Sequence, residues 1–160
     1  MKRTAFLAVA LALSAPIAWA KKDKESSDDN VARAQVEHRL DEIWDAFAHR
    51  DLVRLRSYHL YGPGFTSFKD GGPREDAKAN EEGEAMSATM IGDPKVDMRR
   101  LSVQVYGDVA IATFDGHFMG TIEGAPVAVD QQSTLVLLRV DDDWRIVHEH
   151  FSPLGAMSGP

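Results

Sequence analysis

The chain has 160 residues, with 18 Lys+Arg against 25 Asp+Glu, a net charge of −7 and no cysteine. An acidic balance without a basic stripe excludes nucleic-acid binding, which depends on clustered Lys and Arg. The lack of cysteine excludes disulfides, thiolate metal sites and a cysteine nucleophile, so packing alone must hold the fold.

The first residues carry an export pattern. Lys2 and Arg3 are positive, residues 5–15 are apolar or small, and Ala18-Trp19-Ala20 puts small residues where signal peptidase reads. Residues 1–20 are therefore expected to be a cleaved signal peptide, giving a periplasmic or secreted protein that begins at Lys21. The apolar run is too short to span a bilayer, so no membrane association is expected after cleavage. Removing Lys2 and Arg3, with no acidic residue in 1–20, takes the net charge from −7 to −9. Charged residues 21–30 read as a flexible spacer, 31–153 as one domain and 154–160 as a loose tail.

Within 29–49, Val36, Leu40, Ile43, Trp44 and Phe47 recur at helical spacing and predict a long amphipathic helix. Asp51 is a natural N-cap for a short second helix carrying Leu52, Leu55 and Tyr58. Pro63 and its flanking glycines end it, and 65–68 predicts a short strand. Pro73 is placed to start a third helix, running through Ala77, Ala85 and Met86 to about Met90. From residue 96 the texture changes to Val, Ile, Thr and aromatics. Strands are predicted over 96–106, 109–122, 126–140 and 144–151, pairing antiparallel as a meander and bulged because several are long. Helices first and a bent sheet afterwards is an α+β layout with the helices on one face. Residues 135–138, Leu-Val-Leu-Leu, are apolar on both faces, so the second face also needs a cover; a partner subunit is the simplest.

A long amphipathic helix, the Asp51-Leu52 capped second helix and a last strand reading Trp144-x-Ile146-x-His148-x-His150-x-Ser152 resemble the SnoaL-like branch of the nuclear transport factor 2-like superfamily. That superfamily also holds ketosteroid isomerase and the association domain of calcium/calmodulin-dependent kinase II. The resemblance covers roughly 31–153. It implies a cone-shaped, curved antiparallel sheet packed on three N-terminal helices, a pocket between them, and commonly a dimer. It implies no single activity. Trp44 and Phe47 stand where an isomerase-like tyrosine is expected, and neither supplies a phenol.

Strand alternation puts Trp144, Ile146, His148 and His150 on one face of the last strand, and Arg145, Val147, Glu149 and Phe151 on the other. Glu149 and Phe151 are thereby assigned to the pocket, with Tyr58, His59, Phe65 and His117 around its mouth. A carboxyl in an apolar pocket is a possible general base, as is His117; the bland alternative pairs Glu149 with Arg99 or Arg100. His148 and His150 share a face as strand-borne metal ligands can, with His117 as a third, but an interface role is the stronger reading and no metal or cofactor is expected. The favoured reading is a non-catalytic domain that binds a small apolar or amphipathic molecule, dimeric through the convex sheet face. A pocket isomerase or hydrolase and a pure oligomerisation module are the alternatives.

Overall fold

A computed structural model describes residues 27–154. The expected signal peptide, residues 21–26 of the spacer and 155–160 of the tail lie outside the described residues. Helix α1 spans Ser27–Ala48, with Asp28 and Asp29 in its first turn, where acidic side chains favour the helix dipole. It therefore starts inside the segment read as spacer. Its buried stripe is Ala32, Val36, Leu40, Ile43 and Ala46, while Trp44 and Phe47 pack half-buried against the same core. Helix α2, Leu52–Ser57, is capped by the Asp51 carboxylate accepting from the Arg54 amide.

Helix α3, Ala77–Met90, begins later than Pro73 suggests. The amides of Ser67 and Glu75 donate to each other's carbonyls at 3.1 and 2.9 Å, holding the chain extended until Asp76 caps the helix through the Ala79 amide. The buried residues of α3 are Asn80 and Ala88, whereas Met86 is 60% exposed. The apolar stripe predicted through Met86 is thus replaced by a partly polar one. No described helix is long and apolar enough to cross a membrane.

The strands are β1 Thr66–Lys69, β2 Gly92–Tyr106, β3 Val109–Ile122, β4 Ala125–Val140 and β5 Asp143–Pro153, in the order β1-β5-β4-β3-β2. The last four form the expected antiparallel meander, and β1 joins the outer edge of β5 in parallel. The result is a curved, unclosed sheet with the helices packed on its concave face, the cone fold. Long strands carry register shifts, one of them in β2 beside Arg100, which adopts φ 55°.

The shift in β5 matters most for the site. Leu137 pairs with Ile146 and Val136 with His148, so Val147 is an extra residue without a partner. Cross-strand partners share a face, and Leu135 and Leu137 are both buried. Ile146, opposite Leu137, and Glu149, opposite Leu135, therefore both point into the core. The simple alternation that grouped Trp144 and Ile146 with His148 and His150 is corrected here. The bulge sends Trp144, Ile146 and Glu149 inward, leaving His148 and His150 on the convex face.

Candidate functional site: a buried polar cluster on the concave face

The chain leaving α2 runs beside β5, with the Leu60 amide donating to the Ile146 carbonyl and the Ile146 amide to that of Tyr58, at 2.8 and 2.9 Å. This clamp sets His59 against the concave face, its side chain fully buried. His59 Nδ1 lies 2.9 Å from the Leu55 carbonyl. A carbonyl only accepts, so Nδ1 carries a hydrogen. Nε2 faces Glu149 Oε1 at 2.8 Å and Glu84 Oε1 at 3.3 Å. Tyr61 donates to Glu84 Oε2 at 3.0 Å and accepts from Asn80 Nδ2 at 3.0 Å. The rings of His59 and Tyr61 stack at 4.9 Å, and Phe65 meets both edge-on.

Burial works against charge on His59, but Glu149 and Glu84 outweigh it and push the imidazole up to about 10. Burial alone would raise the Glu149 carboxyl; the hydrogen bond and charge of His59, with Lys69 and Asn80 behind it, hold it below the ordinary glutamate range. Burial, then the Glu84 charge, pushes the Tyr61 phenol up. The resting pair is an imidazolium and a carboxylate. That makes Glu149 a weak base and removes its bland pairing with Arg99 or Arg100, which face Asp130 and Asp115 instead.

Ser67 pairs with Glu149 in the strand register, and Ser133 lies two residues from Leu135 on the inward face of β4. Four side-chain atoms of buried residues in this region have no hydrogen-bond partner in the protein: Ser67 Oγ, Asn80 Oδ1, Ser133 Oγ and Glu149 Oε2. Phe151 and Trp44 pack on Phe118 nearby, at 6.3 and 5.1 Å between ring centres.

Of the residues assigned to the pocket from sequence, His59, Phe65 and Glu149 come together here, and Phe151 lies on the same face. Tyr58 is buried but turned to α1, under the Arg39 guanidinium at 4.4 Å. His117 is not brought in. It bonds Asp130 at 2.9 Å, opposite it across β3 and β4, while its neighbours Phe114 and Phe118 take the core side. There are two open recesses: about 550 Å3 between α1 and β2, bordered by Arg33, Glu37 and residues 101–106, and about 370 Å3 bordered by Val53, Arg56, Ser57, Arg145 and, from the cluster, His59. Neither is lined by Phe65, Glu149 or Phe151. Sequence reasoning missed Tyr61, Ser67, Asn80 and Glu84. Helical spacing held a signal for two of them, since Ala77, Asn80, Glu84 and Ala88 fall on one face of α3.

The SnoaL-like domain profile matches residues 36–156. No curated protein matches the chain in sequence. Among solved structures, an NTF2-like protein of Streptomyces avermitilis named as a dehydratase superposes with a TM-score of 0.73 at 20% identity, over 79% of this chain and 99% of that one. A nuclear transport factor 2-like superfamily protein from Salmonella enterica serovar Typhimurium gives 0.70 at 18%, over 82% and 99%. The CamKII hub homology domain of Chlamydamonas reinhardtii gives 0.62 at 24%, over 78% and 98%. At these identities the structural likeness is one of fold, the nuclear transport factor 2-like cone, and the sequence match carries the assignment: the chain belongs to the SnoaL-like domain family.

Proposed function

We propose that this protein is an exported SnoaL-like domain that binds a small amphipathic molecule on its concave face, as a homodimer. The observation that carries the reading is the group of unpartnered buried polar atoms on Ser67, Asn80, Ser133 and Glu149. Each such atom costs stability, and an apolar residue of similar volume would avoid that cost. A polar head reaching these atoms, with an apolar body against Phe65, Phe118 and Phe151, offsets the cost through binding. Catalysis by Glu149 or His117 has less support, because Glu149 is ion-paired and His117 faces outward.

Dimerisation is proposed through the convex face. Val109 pairs with Leu138 and Ile111 with Val136, and beside them Thr66 bonds His148 at 2.8 Å while Phe68 packs on His148 and His150. The hub domain named among the structural neighbours supports an assembling role for the fold. Native mass spectrometry of protein recovered from the compartment it is exported to tests both parts. The expected species is a dimer of chains beginning at Lys21 that carries a small molecule. An empty monomer contradicts the reading.

A further inference from the structure

His59, Glu84 and Glu149 hold a second possibility that needs no organic ligand. Nδ1 of His59 carries its hydrogen toward Leu55, so Nε2 alone faces two carboxylates, at 2.8 and 3.3 Å. Two anionic oxygens converging on one ring nitrogen require a positive centre between them, either a proton or a metal ion. Donors bound about 2.1 Å from one ion stand about 3.0 Å apart at a right angle and about 3.4 Å apart at the tetrahedral angle. The observed spacings lie close to these values, and all three donor atoms fall within 4.8 Å of one another.

The surroundings match as well. A metal-bound histidine characteristically donates its other ring N–H to a carbonyl, which His59 does, and ligating carboxylates are themselves hydrogen-bonded, as Glu84 is by Tyr61. A separate observation points the same way. Glu149 is 3% exposed, yet its Oε2 accepts no hydrogen bond and its nearest ion-pair partner is Lys69 Nζ at 3.9 Å. That oxygen remains free for a second coordinate bond.

We infer that His59, Glu84 and Glu149 form a binding site for one divalent transition-metal ion of the zinc class. One imidazole with two carboxylates suits such an ion better than Ca2+ or Mg2+, which prefer all-oxygen shells. The site shares Glu149 with the small-molecule reading but needs no organic ligand.

The test uses the mature chain stripped with EDTA and titrated with ZnCl2 by calorimetry, with CoCl2 as a spectroscopic probe. One Zn2+ should bind per chain with a rise in Tm. Glu84→Gln should weaken binding at least about tenfold, the scale on which even outer partners of metal sites act. Glu84 lies at the rim with its side chain 17% exposed, so this variant keeps its fold, which circular dichroism checks. The His148→Asn/His150→Asn variant should bind as wild type does. Absence of stoichiometric uptake overturns the inference. So does uptake that survives Glu84→Gln and Glu149→Gln but is lost in the convex-face variant. A small molecule retained by protein that takes up no zinc overturns this site and leaves the proposed function intact, and zinc uptake by protein that retains no small molecule does the reverse.

Discussion

Glu149 shows how one residue can be placed correctly by sequence while its role is misread. Alternation sends it inward with Phe151, and the structure agrees. Its partner is invisible in the sequence, because His59 lies 90 positions away and meets it only through the α2 to β5 clamp. Removing one member of a buried ion pair leaves the other charge uncompensated, so Glu149→Ala should cost about 3–5 kcal/mol in urea unfolding. The double variant His59→Leu/Glu149→Leu should recover most of that loss, and no recovery would argue against a costly charged pair. The pH dependence follows from the same pair in metal-free protein. The folded His59 pKa of about 10 lies above the ordinary 6.5, so its contribution is complete below 6.5 and is lost as pH rises through 10. Glu149 is shifted down, so its contribution is present above the ordinary 4.5 and fades as pH falls below it toward the depressed folded value. The stability gap between wild type and His59→Gln should therefore be widest between 4.5 and 6.5 and close toward alkaline pH. A gap that stays constant from pH 6 to 10 would contradict a charged His59.

At the scale of elements, hydrophobic period and turn residues located every helix and strand to within a few residues. Asp51 was legible as a cap because the acceptor and the amide it serves are close in sequence. Asp76 was overshadowed by Pro73, whose helix-starting tendency lost to the Ser67–Glu75 bridge, a tertiary pairing. Asp76→Ala should cost about 1 kcal/mol, the usual worth of an N-cap. The bulge at Val147 was legible only as a general need of long strands, since its position depends on how β4 and β5 pair. Deleting Val147 should restore plain alternation, with Ile146 and Glu149 two positions apart and both still facing inward, opposite Leu137 and Leu135. The variant is therefore expected to keep cooperative urea unfolding, and Val147→Ala should stay within about 1.5 kcal/mol of wild type. Loss of cooperativity on deletion would contradict the assignment of Val147 as the extra residue.

For the whole molecule, the two-sided apolar character of β4 suggested a cover for each face. Within one chain the concave face is covered by the helices, leaving Val136 and Leu138 half-buried on the convex side. Val136→Asp should convert the proposed dimer to a monomer, because an unpaired buried charge at an interface costs several kcal/mol. Light scattering reads this directly, and a wild-type monomer at micromolar concentration would sink the assembly. The proposed binding role rests on the claim that the concave polar atoms are kept for a ligand at the expense of the fold. Ser67→Ala isolates it: the hydroxyl is fully buried and has no partner in the protein. Urea unfolding of ligand-free protein, paired with native mass spectrometry of the exported protein, should show the variant about 1 kcal/mol more stable than wild type while carrying less of the small molecule. A variant that is less stable and retains the molecule in full would show that Ser67 serves the fold and contradict the binding role assigned to the concave face.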